Sequence, residues 1–120
     1  FVSVIGHVVA DRLREMLDAF EAGEVGRARA VNASCLPITR AMGRVGGAVF
    51  SKVGLQLRGI DVGNPRLPLP PATDEQVEAV AADLRAAGVP LGPEAYRCAG
   101  EVSGLSASSA RSLEVGVAYR

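Results

Sequence analysis

Residues 66–73 read Arg-Leu-Pro-Leu-Pro-Pro-Ala-Thr and constrain the fold more than any other stretch. Three of these eight residues are proline, and proline has no amide hydrogen and clashes with the preceding turn of a helix. The residue before each proline is also restricted to extended geometry. The stretch is therefore predicted to be a stiff extended strap between helices, with Leu67 and Leu69 packed against the helices that precede it.

The composition predicts a small core and indicates no particular partner. The chain has 120 residues, enough for one domain or part of one, and 48% are hydrophobic while only 4% are aromatic. Such a core is filled mainly by Val, Leu and Ala, and a piece of this size is marginally stable alone. Thirteen Lys and Arg balance thirteen Asp and Glu, so the charge gives no reason to expect nucleic acid as a partner.

Cysteine usage and hydropathy bear on the cellular compartment. Cys35 and Cys98 are the two cysteines of the sequence, and without a CxxC pair or a Cys/His cluster no metal site is expected. Sparse free thiols are typical of a reducing compartment, so we expect a cytoplasmic protein. No apolar run reaches the roughly 20 residues of a membrane span. No basic segment precedes the apolar start, so no signal peptide is predicted.

The first five residues, Phe-Val-Ser-Val-Ile, are typical of a strand buried on both faces. A lone strand cannot satisfy its backbone hydrogen bonds, and no second buried strand follows, so we expect the chain to be the end of something longer. A buried strand followed at once by a helix is one βα unit. The predicted fold class is α/β: the last strand and helix of a (β/α)8 TIM barrel, then a C-terminal helical domain, with the chain itself mostly α-helical.

Apolar residues at helical spacing predict two helices directly after the strand. The first ends at Gly23, which suits a left-handed cap, and its apolar face is formed by Val9, Leu13, Met16, Leu17 and Phe20. The second runs from about residue 24 to residue 42, with a kink at Pro37, and its apolar seam is formed by Ala28, Val31, Cys35, Ile38 and Met42. The chain is predicted to break at the glycines that follow, Gly43, Gly46 and Gly47.

Two further helices are predicted, one on either side of the proline strap. The third ends near Gly59, and its apolar face is formed by Phe50, Val53, Leu57 and Ile60. The last begins with a capping box of Thr73 and Gln76 and is closed by Gly88. Residues 90–120 are rich in Ser, Gly and Ala and show no sustained periodicity, so we predict a disordered or non-native tail.

The residues alone do not define a catalytic set. His7 lies just after the predicted strand, where barrel active sites are found, but no carboxylate, Ser or Cys stands at a fixed spacing from it. A helix-start or polar-lip role is the ordinary interpretation. Lys52 would need a desolvated pocket to form a Schiff base. The ordinary interpretation is that its side chain lies over an apolar surface or pairs with a carboxylate. Gly43, Gly46 and Gly47 lack the GK[ST] ending of a phosphate loop.

A series of segments in residues 1–89 is similar to one known family. The segments are FVSVIGH (1–7), FEAGEVGRAR (20–29), LP (36–37), SKVGL (51–55), GIDVG (59–63), RLPL (66–69) and PAT (71–73). In this order they resemble the last barrel strand, a helix–glycine–helix junction, a kinked helix, the next helix with its end, and the strap of the dihydrodipicolinate synthase family. The resemblance is to its actinobacterial members.

The resemblance implies an enzyme that condenses pyruvate with aspartate semialdehyde through a lysine Schiff base, in lysine and diaminopimelate biosynthesis, with no cofactor and no metal. It implies a homotetramer of barrel subunits, with residues 1–22 as the last βα unit and residues 23–89 as the C-terminal helical domain. The family's Schiff-base lysine lies on an earlier strand, so this chain is expected to lack catalytic residues and to be inactive alone. Lys52 matches a lysine of the helical domain.

Ser3, Gly6 and His7 match the last strand and its exit, so the resemblance implies that they line the lip of the substrate pocket. Two alternatives stay open: another pyruvate-dependent aldolase or lyase of the same superfamily, similar to N-acetylneuraminate lyase, and a non-catalytic helical interaction module. The RLPL segment favours the synthase. The buried type of the first strand argues against the module, because an exposed strand edge invites aggregation.

Overall fold

The computed structural model describes residues 2–92, which fold into five helices. The helices are α1 (Gly6–Glu21), α2 (Val25–Ser34), α3 (Leu36–Val45), α4 (Gly47–Leu57) and α5 (Asp74–Ala86). The mostly helical character predicted for the chain is therefore confirmed in this range. The tail predicted for residues 90–120 lies outside the described residues, apart from its first three. Among the five helices, none is both long enough and apolar enough to cross a bilayer.

The hydrophobic core lies where α3, α4 and α5 meet. Ile38 of α3, Phe50 of α4 and Leu84 of α5 are completely buried there. Val8 and Val9, near the start of α1, belong to the same cluster of buried side chains. The core therefore fixes the beginning of α1 against the three later helices, while the rest of α1 extends away from it to pack with α2.

The strand predicted at the start of the chain is not formed. Residues 2–5 instead lead into a turn in which the carbonyl of Ile5 accepts hydrogen bonds from the amides of Val8 at 2.9 Å and Val9 at 3.1 Å. A strand needs a neighbouring strand to pair its backbone groups, and the described part of the chain contains none. The backbone therefore satisfies itself locally, and α1 begins immediately.

The single kinked helix predicted from residue 24 to residue 42 is two helices. Cys35 separates α2 from α3, so the interruption comes before Pro37 rather than at it. Pro37 lies in the first turn of α3, where backbone amides have no helical acceptor and the missing amide hydrogen of proline costs nothing. The proline therefore starts a new helix instead of bending an existing one.

The ends of α3 and α4 also differ from the prediction. Gly43 lies inside α3, and the chain breaks at Gly46, whose φ of 81° lies in the region that favours glycine. α4 ends at Leu57, so Ile60 lies beyond the helix and is 50% exposed. The predicted end near Gly59 is confirmed, since that residue follows directly in the turn.

α5 begins and ends as predicted. The Thr73 hydroxyl accepts a hydrogen bond from the Gln76 amide at 3.2 Å, and the Gln76 side-chain carbonyl accepts one from the Thr73 amide at 2.9 Å. This reciprocal pair satisfies two backbone donors at the helix start. Gly88 follows the last turn with a φ of 67°, the left-handed conformation that ends a helix.

The proline strap differs from the prediction in its packing. The amide of Leu69 donates to the carbonyl of Arg66 at 3.1 Å, so the strap contains a turn and is not extended throughout. Leu67 is 91% exposed and Leu69 is 44% exposed, and the predicted packing of these leucines against the preceding helices is wrong in this structure. Ala72 is the residue of the strap that reaches the core.

Candidate functional site

The predicted lip residues Ser3, Gly6 and His7 lie in one turn at the start of α1. The amide of Gly6 donates to the Ser3 hydroxyl at 3.3 Å, and His7 Nδ1 lies 2.9 Å from the carbonyl of Val4. Because a carbonyl only accepts, the hydrogen of this contact lies on Nδ1. His7 is exposed, so its imidazole is open to solvent at this turn.

A groove of about 420 Å³ opens beside this turn. Ser3 and Gly6 line it at one end, and Arg14 supplies a guanidinium further along α1. The remaining lining residues are apolar, namely Ala10, Leu13 and Leu17. His7 is not among the lining residues, so the structure brings two of the three predicted lip residues to the groove. A hydroxyl and a guanidinium suit the binding of a polar group, but they supply no general acid–base pair.

The backbone just after the lip is not helical. Val9 has φ −138° and ψ 44°, which interrupts α1 between its first turn and its main body. The interruption frees the carbonyl of Val8 for a partner outside the helix. That partner is Arg58, at the end of α4, whose Nη1 donates to the Val8 carbonyl at 2.7 Å.

α1 and α4 approach each other closely at the same place. A Cβ atom added to Gly54 of α4 would lie 2.7 Å from Cγ2 of Val8, closer than two carbon atoms pack. Gly54 therefore has a packing reason to be glycine, and a glycine inside an apolar helical pattern is the sequence signal for such an approach. Arg58 carries no comparable signal, because its partner is 50 residues away along the chain.

Lys52 anchors a loop. Its ammonium donates to the carbonyls of Val62 at 2.7 Å and Gly63 at 3.4 Å. The Gln56 side-chain amide donates to the Gly63 carbonyl at 3.4 Å, and the Gly63 amide donates to a carboxylate oxygen of Asp61 at 2.9 Å. The lysine is thus part of a set of hydrogen bonds that holds the loop after α4 against that helix. Neither sequence alternative, an apolar surface or a carboxylate partner, describes this arrangement.

Two arginines form ion pairs between helices. Arg27 of α2 pairs with Glu15 at 3.0 Å and Glu24 at 3.3 Å, and the hydrogen bond to Glu15 raises the pKa of Arg27 above its usual value. Arg44 of α3 pairs with the buried Asp83 of α5 at 2.7 Å, and this hydrogen bond raises the pKa of Arg44. Among residues 2–92, no cluster of His, Cys, Asp and Glu is arranged to hold a metal ion.

An apolar groove of about 340 Å³ lies between α1 and α2, and we call it the α1–α2 groove. Its lining residues are Met16, Leu17, Phe20, Val25, Ala28, Arg29 and Asn32. Phe20 is 64% exposed and Val25 is 43% exposed. The described residues therefore form a helical packing unit with one closed core, one polar turn at its start and one open apolar face.

The sequence of this unit matches a known family along most of its length. The model of the dihydrodipicolinate synthetase family matches residues 1–87. The chain therefore belongs to the dihydrodipicolinate synthetase family.

Individual relatives agree with this assignment. The 4-hydroxy-tetrahydrodipicolinate synthase of Mycolicibacterium paratuberculosis (strain ATCC BAA-968 / K-10) is 57% identical over 89 residues, which are 74% of this chain and 30% of that protein. The synthase of Mycobacterium leprae (strain TN) is 53% identical over the same shares. A crystal structure of a dihydrodipicolinate synthase is similar with a TM-score of 0.67 and 25% identity, over 74% of this chain and 31% of that one. The chain thus spans about three tenths of the length of the relatives it matches.

Proposed function

We propose that this chain is the C-terminal part of a 4-hydroxy-tetrahydrodipicolinate synthase. The enzyme would be a cytoplasmic lyase that condenses pyruvate with aspartate semialdehyde through a lysine Schiff base, in lysine and diaminopimelate biosynthesis. The observation that carries the proposal is the family match over residues 1–87. The identity of 57% to an actinobacterial synthase supports the same choice over other pyruvate-dependent lyases.

In the proposed enzyme, residues 1–22 complete the last βα unit of a (β/α)8 barrel, and residues 23–89 form the C-terminal helical domain. Two features support this division. Residues 2–5 have no strand to pair with in the described chain, and the α1–α2 groove lacks a cover of its own. A barrel preceding the chain would supply both. Assembly into a tetramer, with no cofactor, completes the proposal.

Ser3, Gly6 and His7 form the lip of the substrate pocket in this proposal. Their turn supplies a hydroxyl and an exposed imidazole, which are groups that orient a substrate rather than form a covalent bond with it. The Schiff-base lysine belongs to the part of the enzyme that precedes this chain. Lys52 does not take its place, since its ammonium is held by two backbone carbonyls and Schiff-base formation requires a free amine.

The proposal can be tested with a chimera. The N-terminal part of the Mycolicibacterium paratuberculosis synthase, up to the segment that matches residue 1, is fused to this chain. We expect borohydride to trap pyruvate covalently on the chimera, and added aspartate semialdehyde to be consumed together with pyruvate. The 120-residue chain alone should trap no pyruvate. A Lys52→Met chimera should trap pyruvate as the unsubstituted chimera does, because the trapped lysine lies elsewhere.

Three results would count against the proposal. A chimera that folds but traps no pyruvate would show that this chain cannot complete the active site. A chimera that traps pyruvate but condenses it with a sugar aldehyde in place of aspartate semialdehyde would move the chain to another lyase of the superfamily. An adduct on Lys52 in the chain alone would place the chemistry in this segment.

A further inference from the structure

A side-chain hydrogen bond between Arg58 and the backbone of Val8 joins the first turn of α1 to the C-terminal helices. Arg58 Nη1 lies 2.7 Å from the Val8 carbonyl, and the bond is partly buried. A guanidinium donor makes this bond charge-assisted and stronger than one between neutral groups. The acceptor is available because the break at Val9 turns this part of the backbone out of the helical pattern.

Packing fixes the same residue from a second direction. The side chain of Val8 is 2% exposed and lies so close to Gly54 that a methyl group there would overlap with it. Val8 directly follows His7 and lies two residues after Gly6. The position of the lip therefore depends in part on the Val8 carbonyl, which Arg58 holds, and on the Val8 side chain, which packs against α4.

The end of α4 is itself held firmly. The amide of Gly92 donates to the carbonyl of Leu57 at 2.7 Å, next to Arg58. A Cβ atom added to Gly92 would lie 3.0 Å from the amide nitrogen of Gly59, so the segment after α5 packs tightly on this turn. Arg58 thus projects from a turn that is fixed on both sides, which limits the positions that its guanidinium can adopt.

We propose that Arg58 is a positioning residue that holds the lip, Ser3, Gly6 and His7, in the geometry required for the reaction. This inference rests on the proposed function, because the lip has a role only in the complete enzyme. Small displacements of orienting groups lower the rate of a reaction strongly. The C-terminal helices would then affect turnover through one hydrogen bond, although the groups that react lie elsewhere.

The experiment compares Arg58→Met with Arg58→Lys in the chimera described above. Met keeps most of the side-chain bulk but removes the donor, and Lys restores a charged donor. Each variant is titrated by borohydride trapping of pyruvate, so that kcat is expressed per functional site. We expect kcat per trapped site to fall about tenfold in Arg58→Met and to stay within about twofold of the unsubstituted chimera in Arg58→Lys. Arg85→Met, which removes an exposed ion pair with Glu78, is the matched control and should leave kcat unchanged.

The titration separates positioning from mere stabilisation. If Arg58 only stabilised the fold, Arg58→Met would lower the number of trapped sites and leave kcat per site unchanged, and that result would overturn the inference. Arg58→Lys as slow as Arg58→Met would also overturn it, because the donor would then not matter. If the unsubstituted chimera trapped no pyruvate, the proposed function would be wrong and this inference would fall with it. Trapping with no effect of Arg58→Met would contradict the inference alone.

Discussion

Two phenylalanines of this chain occupy opposite environments. Phe50 of α4 is completely buried between α3 and α5, whereas Phe20 at the end of α1 is 64% exposed at the rim of the α1–α2 groove. Both residues were predicted on apolar helix faces, and both lie on such faces. The difference is that α4 has neighbours in the described chain that cover its face, and the far end of α1 does not.

Helical periodicity in the sequence identifies an apolar helix face but not the residues that will cover it. The core formed by α3, α4 and α5 is closed by Val8 and Val9 from the start of α1, so its apolar faces are covered within the described residues. The open face of α1 belongs to a chain that spans about three tenths of the length of its relatives. In our proposal the barrel covers that face, and an exposed apolar patch of this kind is typical of a surface that packs against another unit.

The largest expected effect separates the two phenylalanines directly. Phe50→Ala should lower the free energy of unfolding by about 3–5 kcal/mol, because it removes a buried aromatic side chain and leaves a cavity. Phe20→Ala should change it by no more than about 0.5 kcal/mol, because the side chain is mostly in water already. Urea unfolding of the 120-residue chain, followed by circular dichroism, measures both values. Equal losses would mean that Phe20 is covered in solution, for example by a second copy.

The second prediction concerns the close contact between Gly54 of α4 and Val8 of α1. Gly54→Ala should destabilise the chain by about 1–3 kcal/mol, since the added methyl overlaps with Val8 and crowding in a packed core has this cost. Val8 is β-branched, stiff about χ1 and almost fully buried, so it cannot move aside freely. Urea midpoints of the two proteins provide the measurement.

Gly43→Ala is the matched control for Gly54→Ala. Gly43 lies inside α3 with open space where its Cβ would be, so alanine should stabilise the helix by about 0.5–1 kcal/mol. If Gly54→Ala were stabilising as well, α1 would not be packed closely against α4. The proposal that Arg58 positions the lip would then lose one of its observations.

The parts of the fold that were predicted correctly depend on signals between near neighbours. The capping box of Thr73 and Gln76 and the closing Gly88 define α5 without reference to the rest of the chain. The predictions that this structure does not bear out depend on distant partners. The strand predicted for residues 1–5 needs another strand and stays a prediction for the complete enzyme. The leucines of the strap need a surface that the described chain does not present to them.

In the candidate site, too, residues with a local sequence signal were found and residues that depend on distant contacts were missed. Ser3 and Gly6 were singled out by resemblance and do line one groove, while their role in a substrate pocket stays a prediction. Arg58 was missed, because no local pattern indicates a hydrogen bond to a residue 50 positions earlier. Gly54 carried a weak signal, a glycine in an apolar helix, whose meaning depends on the position of Val8 in space.

A third prediction tests how much of the closed core depends on local signals. Thr73→Ala should cost about 1 kcal/mol, because it removes the hydroxyl that accepts a hydrogen bond from the Gln76 amide in the first turn of α5. Thr39→Ala should stay within about 0.5 kcal/mol, since the Thr39 hydroxyl donates to the carbonyl of Cys35, the residue before α3, and alanine is the better helix former. Thermal melts give the change in melting temperature of each variant relative to the parent chain. A larger loss for Thr39→Ala would show that this hydroxyl has a tertiary role.

The smallest expected effects concern the two interhelical ion pairs. Arg44→Met should lower the urea midpoint slightly, because it leaves Asp83, whose side chain is 11% exposed, with Arg40 at 3.8 Å as its remaining ion-pair partner. Arg27→Met should leave the midpoint unchanged within error, since Glu15 and Glu24 are about half exposed and water replaces the lost pair.

The pH dependence follows from the direction of the pKa shifts. The pKa values of Arg27 and Arg44 are raised by their carboxylate partners, so the stabilisation is fully present below the pKa of unfolded arginine and is lost only as the pH rises through the still higher folded value. Between pH 6 and pH 9 the difference between each variant and the parent chain should therefore be constant. Added salt should change the midpoint difference caused by Arg44→Met only slightly, because partly buried charges are screened less than exposed ones. If salt abolished that difference, the Arg44–Asp83 pair would be as open to solvent as the exposed pair of Arg27 and Glu15, and the low exposure of Asp83 would not protect it.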